Sequence, residues 1–499
     1  MRALVALPLL AIALAGCLEQ GTTTPPAEPL APYMLDCSIS PGAGGSGWPE
    51  GCLALASPND SPSKAEVDLA VNPKDPSNVV VASKDKDPKA STNCVWAVSQ
   101  VTKDAGKTWK TVYVGGDMAN RVPEALPYEC VTDPIMVFDS KGVFYYALQI
   151  YNHSPREEPT VPVIDQPTPD TGSAFILGRS RDGGLTYDHY AYQDVGAGDF
   201  YFLDYPRMLV SPTTGSIHTI MNGYLGAPLP VGAPANAGSV NAVIMTSRDG
   251  GQTVDKPVVL TAPDSAQTVA FFSGFAATKE GVLYVTIQKA ENSDAGEATN
   301  VWIWKSTDDG RSFQEVGKAF QIHPTKRQHG DHEYRTPSFV EMAIDATRGN
   351  HSGRIYLFWP EWSEQTQSDV LSSWSDDGGK SWSTPINIAT QVAGDQLFMR
   401  PRVGPDGTVH VLFATQAYSG GELLDQVHAW SKDGGFKWGN ERLTNQSFDG
   451  DLGIHQDGFP FIGDYNGLDV APDGTVHAAW GDTVTGRAEI AYARILPRT

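Results

Sequence analysis

The sequence predicts an all-β fold, a seven-bladed β-propeller, on three observations. A turn pattern of Ser or Thr, Asp, Gly and usually an aromatic residue occurs six times along the 499 residues. A unit of strand, turn and strand precedes each copy, and a seventh such unit follows the last copy. No long amphipathic helical pattern is evident in the chain. Repeats of this length predict sheets packed radially around one axis, with six blades as the alternative.

The clearest copy of the turn pattern is Ser375-Asp376-Asp377-Gly378-Gly379-Lys380-Ser381-Trp382. Asp377 can accept backbone N–H bonds from its own turn, and glycine supplies the positive φ that other residues resist. Trp382 can anchor the hairpin by packing on apolar surface. These roles predict a folding device rather than a catalytic group. The other copies are centred on Asp104, Asp182, Asp249, Asp308 and Asp433, and the copy at Asp249 has Val254 in place of the aromatic residue.

The strand–turn–strand units are clearest at Arg402–Leu412 and Asp469–Ala479, where Pro-Asp-Gly separates two apolar runs. Such a turn between such runs is a strong hairpin signal. The other units are Val67–Ala82, Ile135–Leu148, Met208–Met221, Phe275–Thr286 and Phe339–Phe358.

The seventh unit, Gly467–Trp480, leaves its blade one strand short, because a single further strand, Ala488–Arg494, follows it. We expect the N-terminal segment around Cys52–Leu55 to supply the missing strand. Closure of this kind leaves no open seam between the first and last blades, which removes an aggregation-prone edge.

The repeated turn resembles the Asp-box, or BNR repeat, of the sialidase-like β-propellers. Six copies in order make the resemblance specific for architecture, and it covers roughly Glu66 to the C-terminus. The resemblance implies a ligand site at the mouth of the central channel. In sialidases this site has three arginines for the substrate carboxylate, a Tyr–Glu pair as nucleophile and an Asp as acid and base. Guanidinium groups bind carboxylates in a bidentate manner, and glycoside hydrolysis needs a paired nucleophile and acid.

The chain departs from the sialidase pattern at the first arginine. Sialidases carry an Arg-Ile-Pro-like motif before the first Asp-box, whereas this chain has no arginine between Cys17 and Arg121. Arg121-Val122-Pro123 resembles the motif but follows the first box. This departure favours binding, or another activity, over sialidase activity. The Tyr–Glu pair also stays unassigned, with Tyr205 or Tyr465 combined with Glu333, Glu341 or Glu361 as the possibilities.

Polar segments lead into several of the predicted inner strands, where propellers collect their ligands. Asp204 and Asp464 each lie eight residues before a turn proline, and Arg207 and Arg400 each lie five residues before one. Equivalent inner strands should therefore carry both arginines towards one axis, and Arg335 could complete a clamp for an anionic ligand. The alternative for the two aspartates is that they hold loop backbone. The candidate catalytic residues are Asp133, Asp204, Tyr205 and Tyr465, and the candidate ligand-binding residues are Arg207, Arg335, Arg400, Arg402 and Asp464.

Two groups of residues could hold a metal ion, but neither has an established ligand spacing. His329 and His332 share one polar loop, in which histidines are usually exposed. The second group offers oxygen ligands for Ca²⁺, with a solvated acidic loop as the alternative. We expect no cofactor, and Ca²⁺ is the other possibility. The second group consists of Asp449, Asp451, His455, Asp457 and Asp464.

The formal net charge of −22 argues against nucleic acid or an anionic membrane surface as a partner. It also repels an anionic sugar at long range, so a sialic acid site would need a strong local cluster of arginines. We expect a monomer whose partner is an extracellular glycan or protein.

The N-terminus predicts a targeting segment. Arg2 precedes an apolar run, Ala3–Gly16, that is too short to span a bilayer permanently. The run ends in Leu14-Ala15-Gly16-Cys17, which resembles the lipobox of prokaryotic lipoproteins and implies lipid on Cys17. An ordinary secretory peptide is the alternative. We expect a signal peptide over 1–16, a lipidated cysteine and flexible tether over 17–50, and the propeller over 51–499, in the cell envelope outside the cytoplasm.

The remaining cysteines predict two disulfides, because four cysteines in an exported protein usually pair. Three connectivities are possible, and we favour nearest neighbours. The cysteines are Cys37, Cys52, Cys94 and Cys130, paired in that order.

Two hypotheses of function follow. The first is a surface-tethered, sialidase-like propeller that binds glycans at the channel mouth, with or without hydrolysing them. The second is a non-catalytic propeller lipoprotein that acts as a protein-binding or assembly scaffold.

Overall fold

The computed structural model describes residues 33–39, 51–57, 63–86, 95–115, 130–151, 173–195, 202–225, 239–260, 270–289, 299–326, 328–329, 331–390, 394–456 and 459–498. Within these ranges the chain forms strands and two 3-10 turns, Cys37–Ile39 and Gly450–Leu452, but no α-helix. No helix in this part of the chain has the length and hydropathy to cross a membrane. The predicted all-β class is confirmed. The expected signal peptide and Cys17 lie outside the described residues.

Most strands of the described chain belong to seven antiparallel sheets, which are the blades of the predicted propeller. Two short strands come first, β1 (Tyr33–Leu35) and β2 (Ala54–Leu55). Blade 1 consists of β3 (Ser63–Val71), β4 (Val79–Lys86), β5 (Val95–Thr102) and β6 (Lys110–Tyr113). Blade 2 consists of β7 (Cys130–Phe138), β8 (Phe144–Tyr151), β9 (Ser173–Ser180) and β10 (His189–Asp194). Blade 3 consists of β11 (Phe202–Val210), β12 (Ile217–Leu225), β13 (Ser239–Ser247) and β14 (Val258–Val259).

The second half of the chain repeats this order and adds two small hairpins. Blade 4 consists of β15 (Ala270–Ala277), β16 (Leu283–Lys289), β17 (Thr299–Ser306) and β18 (Gln314–Ile322). A hairpin of β19 (Gln328–His329) and β20 (His332–Glu333) precedes blade 5, which consists of β21 (Glu341–Ile344), β22 (Ile355–Ser363), β23 (Gln367–Ser375) and β24 (Ile386–Asn387). Blade 6 consists of β25 (Gln396–Val403), β26 (Val409–Thr415), β27 (Asp425–Ser431) and β28 (Gly439–Arg442). A hairpin of β29 (Ile454–Gln456) and β30 (Phe459–Phe461) precedes blade 7, which contains β31 (Gly467–Val470), β32 (Val476–Asp482) and β33 (Glu489–Pro497).

The innermost strands contact one another in a closed ring of β3, β7, β11, β15, β21, β25 and β31, which returns to β3. Each blade then runs outward in chain order. Residues near the start of every inner strand therefore meet at one end of the channel, which is its mouth. The predicted seven blades are confirmed, and the six-bladed alternative is wrong.

The N-terminal segment completes blade 7, as the missing strand predicted. Ala54 and Leu55 of β2 pair with β33, opposite Tyr492 and Ala491. The structure also shows what the sequence did not predict, since β1 pairs with the end of β33, from Tyr33 opposite Pro497. Residues 33–39 were expected to lie in the flexible tether and are part of the fold instead. These residues are held in the fold by burial, because the Tyr33 side chain packs in the apolar core of blades 6 and 7.

A disulfide between Cys37 and Cys52 joins the two N-terminal strand segments. This pairing is one of the two that the sequence favoured, and it agrees with an oxidising, extracytoplasmic environment. Cys130 is also disulfide-bonded. Cys94, its expected partner, lies outside the described residues.

The turn motifs share one hydrogen-bond pattern. Asp308 Oδ1 accepts the backbone N–H of Ser312 at 2.9 Å and the Ser306 hydroxyl at 2.8 Å, and Oδ2 accepts the Ser312 hydroxyl at 2.6 Å. Slight burial opposes ionisation, but these bonds lower the pKa of Asp308 to about 2. These carboxylates are engaged in their own turns, as a structural role requires. The same backbone bond forms at Asp104, Asp182, Asp249, Asp377 and Asp433.

Aromatic residues of the turn motifs pack against the preceding blade. Trp109 in blade 1 meets Tyr492 in blade 7 edge to face, with ring centroids 5.0 Å apart. Trp438 in blade 6 meets Phe358 in blade 5 in the same manner at 5.8 Å. Such pairs stabilise the packing between blades beyond simple burial. The motif thus closes its own hairpin and holds the neighbouring sheet.

Candidate functional site

Bulges at one depth of the channel interrupt several inner strands. The bulges of β3, β7, β11 and β25 place Glu66, Asp133, Tyr205 and Phe398 at positive φ, between 49° and 56°. Non-glycine residues seldom adopt this conformation, and bulges commonly redirect side chains near functional sites. Three of these residues lie seven positions before a turn proline, at Pro73, Pro212 and Pro405.

Two arginines from different blades meet at one buried carboxylate below these bulges. Arg207 of β11 forms an ion pair with Glu341 of β21, with Nε donating to Oε1 at 3.2 Å. Nη1 of Arg400 in β25 lies 3.7 Å from Glu341 Oε2, and its Nη2 lies 3.1 Å from Asp68 Oδ1. The four side chains are 5% exposed or less. The structure thus brings Arg207 and Arg400 to one depth, where both are neutralised by carboxylates of the protein.

Tyr205 completes this arrangement. Its hydroxyl donates to Glu341 Oε1 at 2.7 Å, and Arg207 Nη2 lies 2.5 Å from the hydroxyl oxygen. The Phe339 ring covers the tyrosine at a centroid distance of 3.7 Å, so that Tyr205 is 2% exposed. Burial raises the pKa of Tyr205 well above its usual value, although the Arg207 charge opposes this shift. A Tyr–Glu pair of the kind that the resemblance implies is therefore present and shielded from solvent, with a tyrosine whose protonated form is favoured.

Aspartate side chains also connect neighbouring inner strands, because each carboxylate accepts a backbone N–H of the next strand. Asp469 in blade 7 accepts the N–H of Val71 in blade 1 at 2.9 Å. The pattern continues around the ring, because the N–H of Met136 donates to Asp68 at 3.0 Å and that of Tyr205 donates to Asp133 at 3.1 Å. Burial raises the pKa of Asp469, which the nearby Arg402 charge opposes. These carboxylates therefore hold neighbouring inner strands together and also contribute negative charge to the channel.

Lys84 lies between two carboxylates at the channel mouth. Its Nζ is 2.9 Å from Glu66 Oε2 and 3.6 Å from Asp133 Oδ1, and the lysine side chain is 3% exposed. Burial disfavours the ammonium, but the two carboxylates raise the pKa of Lys84. Burial and the Asp133 charge raise the pKa of Glu66 well above its usual value.

Asp204 and Asp464 occupy the same end of the channel. Asp464 forms an ion pair with Arg335, and its other oxygen, Oδ1, is solvent-inaccessible and has no hydrogen-bond partner. Asp204 is partly exposed and accepts the Tyr224 hydroxyl at 3.2 Å. It also shares a hydrogen bond with Asp133, and burial together with the Asp133 charge raises the pKa of Asp204 well above its usual value.

Asp133 has the opposite character, although it is more deeply buried, at 1% exposure. Burial alone would raise its pKa, but hydrogen bonds from Glu66 and Asp204 and the charge of Lys84 lower the pKa of Asp133 far below its usual value. The two shifts favour the protonated form of Asp204 and the ionised form of Asp133. Two adjacent carboxyl groups with opposite pKa shifts are an arrangement that acid–base chemistry uses.

The described side chains of the channel form two layers with different charge. We call the deep layer the set with three guanidinium groups and three carboxyl groups, namely Arg207, Arg400, Arg402, Asp68, Glu341 and Asp469. We call the mouth layer the set with four carboxyl groups and two cations, namely Glu66, Asp133, Asp204, Asp464, Lys84 and Arg335. The deep layer is balanced, whereas the mouth layer has an excess of acid. Burial and the charges of Arg207 and Arg402 lower the pKa of Arg400 to about 10, which shows how closely the deep cations are packed.

The sequence identified part of this set. Asp133, Asp204, Arg335 and Asp464 are brought together at the mouth, and Arg207, Arg400, Arg402 and Tyr205 lie beneath them. Tyr465 is buried, donates to the Pro134 carbonyl at 3.3 Å and lies 4.9 Å from the Arg207 guanidinium, measured to its ring centroid. The sequence missed Glu66, Asp68, Lys84 and Asp469, and left Glu341 as one of several glutamates. Two of these had a signal, because Asp68 lies five residues before Pro73, as Arg207 does before Pro212, and Glu66 lies seven before it, as Tyr205 does.

The rim beside the mouth holds the histidines that the sequence singled out. His332 Nδ1 lies 2.9 Å from Asp451 Oδ2 and 3.4 Å from Asp449 Oδ1. Partial burial opposes protonation, but these carboxylates raise the pKa of His332. Within the described ranges, this trio is the group whose ligand atoms converge as metal ligands do. Asp464, expected in the same acidic group, is paired with Arg335 instead, and Asp457 and the His455 side chain lie outside the description.

His329 was expected to be exposed and is buried, at 1% exposure. Its Nδ1 lies 2.7 Å from Asp395 Oδ2 and its Nε2 lies 3.2 Å from the Thr336 hydroxyl. The ring stacks on Tyr334 at 4.5 Å. These contacts attach the hairpin of β19 and β20 to the start of blade 6, which explains the burial.

Comparison with protein-family models finds no match, and comparison with curated proteins finds none. Several solved structures are similar. The Hadza microbial sialidase Hz136 is 15% identical over 81% of this chain and 74% of its own, with a TM-score of 0.48. A protein of unknown function from Dyadobacter fermentans is 12% identical over 89% of this chain and 98% of its own, with a TM-score of 0.48. The Trypanosoma rangeli sialidase in complex with the inhibitor DANA is 11% identical over 87% of this chain and 55% of its own, with a TM-score of 0.41. The activities in these names belong to those proteins.

Proposed function

We propose that this protein binds a glycan at the mouth layer of its channel. The observation that carries the proposal is the mouth layer itself, where Asp204 and Arg335 are partly exposed and Asp464 Oδ1 lacks a donor. Sugar hydroxyls and amino groups are donors that carboxylates accept, and a few convergent polar groups in a concave site are typical of ligand recognition. The deep layer is already neutralised and covered, so it serves as the scaffold of this site.

A blocking substitution tests where the glycan binds. Asp204→Trp places a bulky ring in the mouth and should abolish binding of every glycan that the parent protein retains on a glycan array. Glu280→Trp is the matched control on an exposed turn, with 61% side-chain exposure, and should bind as the parent does. Equal binding by the Asp204→Trp variant would place the ligand elsewhere, and an array without any retained glycan would end the proposal.

Hydrolysis of the bound glycan is a second candidate function, and the Asp133–Asp204 pair is the observation that favours it. A protonated Asp204 at the opening can donate to a glycosidic oxygen, while the ionised Asp133 holds it in place. The burial of Tyr205 argues for binding alone, because a nucleophile must reach the sugar. The two candidates therefore differ in whether turnover accompanies binding.

Turnover of glycosides should depend on Asp204 if hydrolysis occurs. Asp204→Asn keeps the shape of the side chain and removes the acid, so we expect kcat to fall by about 10²- to 10⁴-fold, the usual contribution of a general acid. Because the Asp204 pKa is raised, parental activity should be present at lower pH and decline as the pH rises through that pKa. Release of reducing ends from a glycoside panel across pH measures both. An unchanged kcat in the variant would exclude Asp204 as the acid.

We also propose that the propeller is anchored to the cell envelope through lipid on Cys17. The Cys37–Cys52 disulfide supports an extracytoplasmic location, and each buried methylene of a lipid contributes about 0.8 kcal/mol to membrane retention. Cys17→Ser should move the protein from the membrane fraction to the soluble fraction, as fractionation and immunoblotting would show. Membrane association that does not change would contradict the anchor, and Cys37→Ser serves as the control for loss of a cysteine elsewhere.

A further inference from the structure

The mouth layer has more carboxyl groups than its own cations can serve. Lys84 contacts Glu66 and Asp133, and Arg335 pairs with Asp464. Asp204 contacts the Tyr224 hydroxyl and shares a hydrogen bond with Asp133, and the Arg335 charge that also acts on it is already paired with Asp464. Burial and the Asp133 charge raise the pKa of Glu66 and that of Asp204. A positive ligand would relieve this crowding, whereas a negative ligand would add to it.

Asp464 carries a second and independent sign of a missing donor. Its side chain is 4% exposed, and Oδ1 is both inaccessible to solvent and without a hydrogen-bond partner. Buried acceptors in native proteins nearly always have a donor, so an orphaned carboxylate oxygen in the same layer as the partly exposed Asp204 indicates a position that a ligand completes. The donor that fits belongs to a cation, because a carboxylate prefers charge-assisted bonds.

A bare metal ion does not fit this requirement. Within the described residues, the mouth carboxylates do not bring three ligand atoms within 4.8 Å of one another, whereas the rim group of His332, Asp449 and Asp451 does. An ammonium group has three N–H donors and can reach carboxylates that are further apart. An anionic sugar is not favoured at the mouth either, since Arg207 and Arg400 belong to the deep layer. Their side chains are 5% exposed or less and lie beside Glu341 and Asp68, although Nε and Nη1 of Arg400 have no hydrogen-bond partner. The net charge of −22 also attracts cations at long range.

We propose that the mouth layer recognises a glycan with a free amino group, an unacetylated amino sugar, whose ammonium donates to Asp464 Oδ1 and to Asp204. This inference rests on the proposed glycan binding at the mouth and names its ligand class. The sugar ring lies beside the partly exposed Asp204, and the amino group points towards the orphaned oxygen. Acetylation of that amino group removes its charge and two of its three donors.

The test compares two disaccharides that differ only in acetylation. Isothermal titration of the full chain in 0.15 M salt is carried out with the disaccharide of glucosamine, with that of N-acetylglucosamine and with sialyllactose. We expect the glucosamine disaccharide to bind at least tenfold more tightly than the other two. Short ligands are used because a long polycation would bind any protein of this net charge.

Charge-removing variants locate the ammonium group. Asp464→Asn and Asp204→Asn should each weaken binding of the glucosamine disaccharide at least tenfold, whereas Glu280→Gln, an exposed acid outside the channel, should leave it unchanged. Asp204→Asn removes no ion pair and keeps the test informative if Asp464→Asn fails to fold. Equal affinity for the acetylated disaccharide, preference for sialyllactose, or a glucosamine affinity that survives both substitutions would overturn the inference. In those cases the Asp204→Trp variant still reports whether a glycan binds at the mouth, so the proposed glycan binding is tested independently of the amino-sugar preference.

Discussion

Replacing Glu341 with glutamine is expected to destabilise the folded protein by about 3–5 kcal/mol, the usual result of removing one partner of a buried ion pair. The carboxylate faces Arg207, Arg400 and the Tyr205 hydroxyl, and it is 5% exposed. Glutamine keeps the volume but leaves two buried guanidinium groups crowded against each other with one carboxylate fewer. Urea unfolding followed by tryptophan fluorescence measures the change in midpoint.

Glu364→Gln is the matched control for this experiment, because Glu364 is exposed and lies in the turn between β22 and β23. Its effect should stay within about 0.5 kcal/mol, as for most surface substitutions. A Glu341→Gln variant that unfolds at the parental midpoint would show that the deep layer does not depend on this carboxylate. Such a result would also remove the reason for treating the deep layer as scaffold.

Gly463→Ala is expected to cost about 3 kcal/mol of stability and to weaken any ligand binding that uses Asp464. Gly463 has φ of +114°, and a Cβ there would overlap the backbone nitrogen of Glu66 and lie 3.0 Å from its Cα. The contact joins blade 7 to blade 1 at the mouth, and neither backbone can yield without moving a bulge. An unfavourable φ costs about 1–2 kcal/mol and overpacking typically about 1–3 kcal/mol. Thermal unfolding and ligand titration of the same sample measure both effects.

Gly486→Ala separates the two causes. Gly486 has φ of +88° in a turn of the same blade, and no atom lies within 4 Å of an added Cβ. The control therefore reports the conformational cost alone, about 1–2 kcal/mol, and should leave binding intact. If both variants lose the same stability, the close approach of Gly463 to Glu66 has no energetic weight.

The fold could be predicted because its signals are local. A Pro-Asp-Gly turn between two apolar runs, or an Asp that binds its own turn at Asp377, requires only neighbouring residues. The short strand β1 escaped prediction because three residues next to a Pro- and Thr-rich segment carry no periodic pattern, and its pairing depends on β33 at the other end of the sequence.

The site could be predicted only in part, because its contacts join distant parts of the chain. The offset from the turn proline places Arg207 and Arg400 at one depth, but it does not show which groups they meet. Arg207 and Glu341 are 134 residues apart, and Arg400 and Asp68 are 332 residues apart. Lys84 gave no signal at all, since it lies in a second strand and reaches the channel only through the bulge at Glu66. Ion pairs between different blades can be identified only once the three-dimensional arrangement of the closed ring is known.

The closure of blade 7 by both ends of the propeller has a consequence for the order of events during synthesis. The bond between Ser57 and Glu489 spans 432 residues, and that between Tyr33 and Arg498 spans 465. The strands β1 and β2 are therefore made long before β33, and their pairing partner is absent while six blades are synthesised. Blades 1 to 6 can assemble from neighbouring segments as they emerge, but the ring cannot close until β33 has been made. A chain truncated before β33 would therefore leave β1 and β2 without their pairing partner and the edge of blade 7 uncovered.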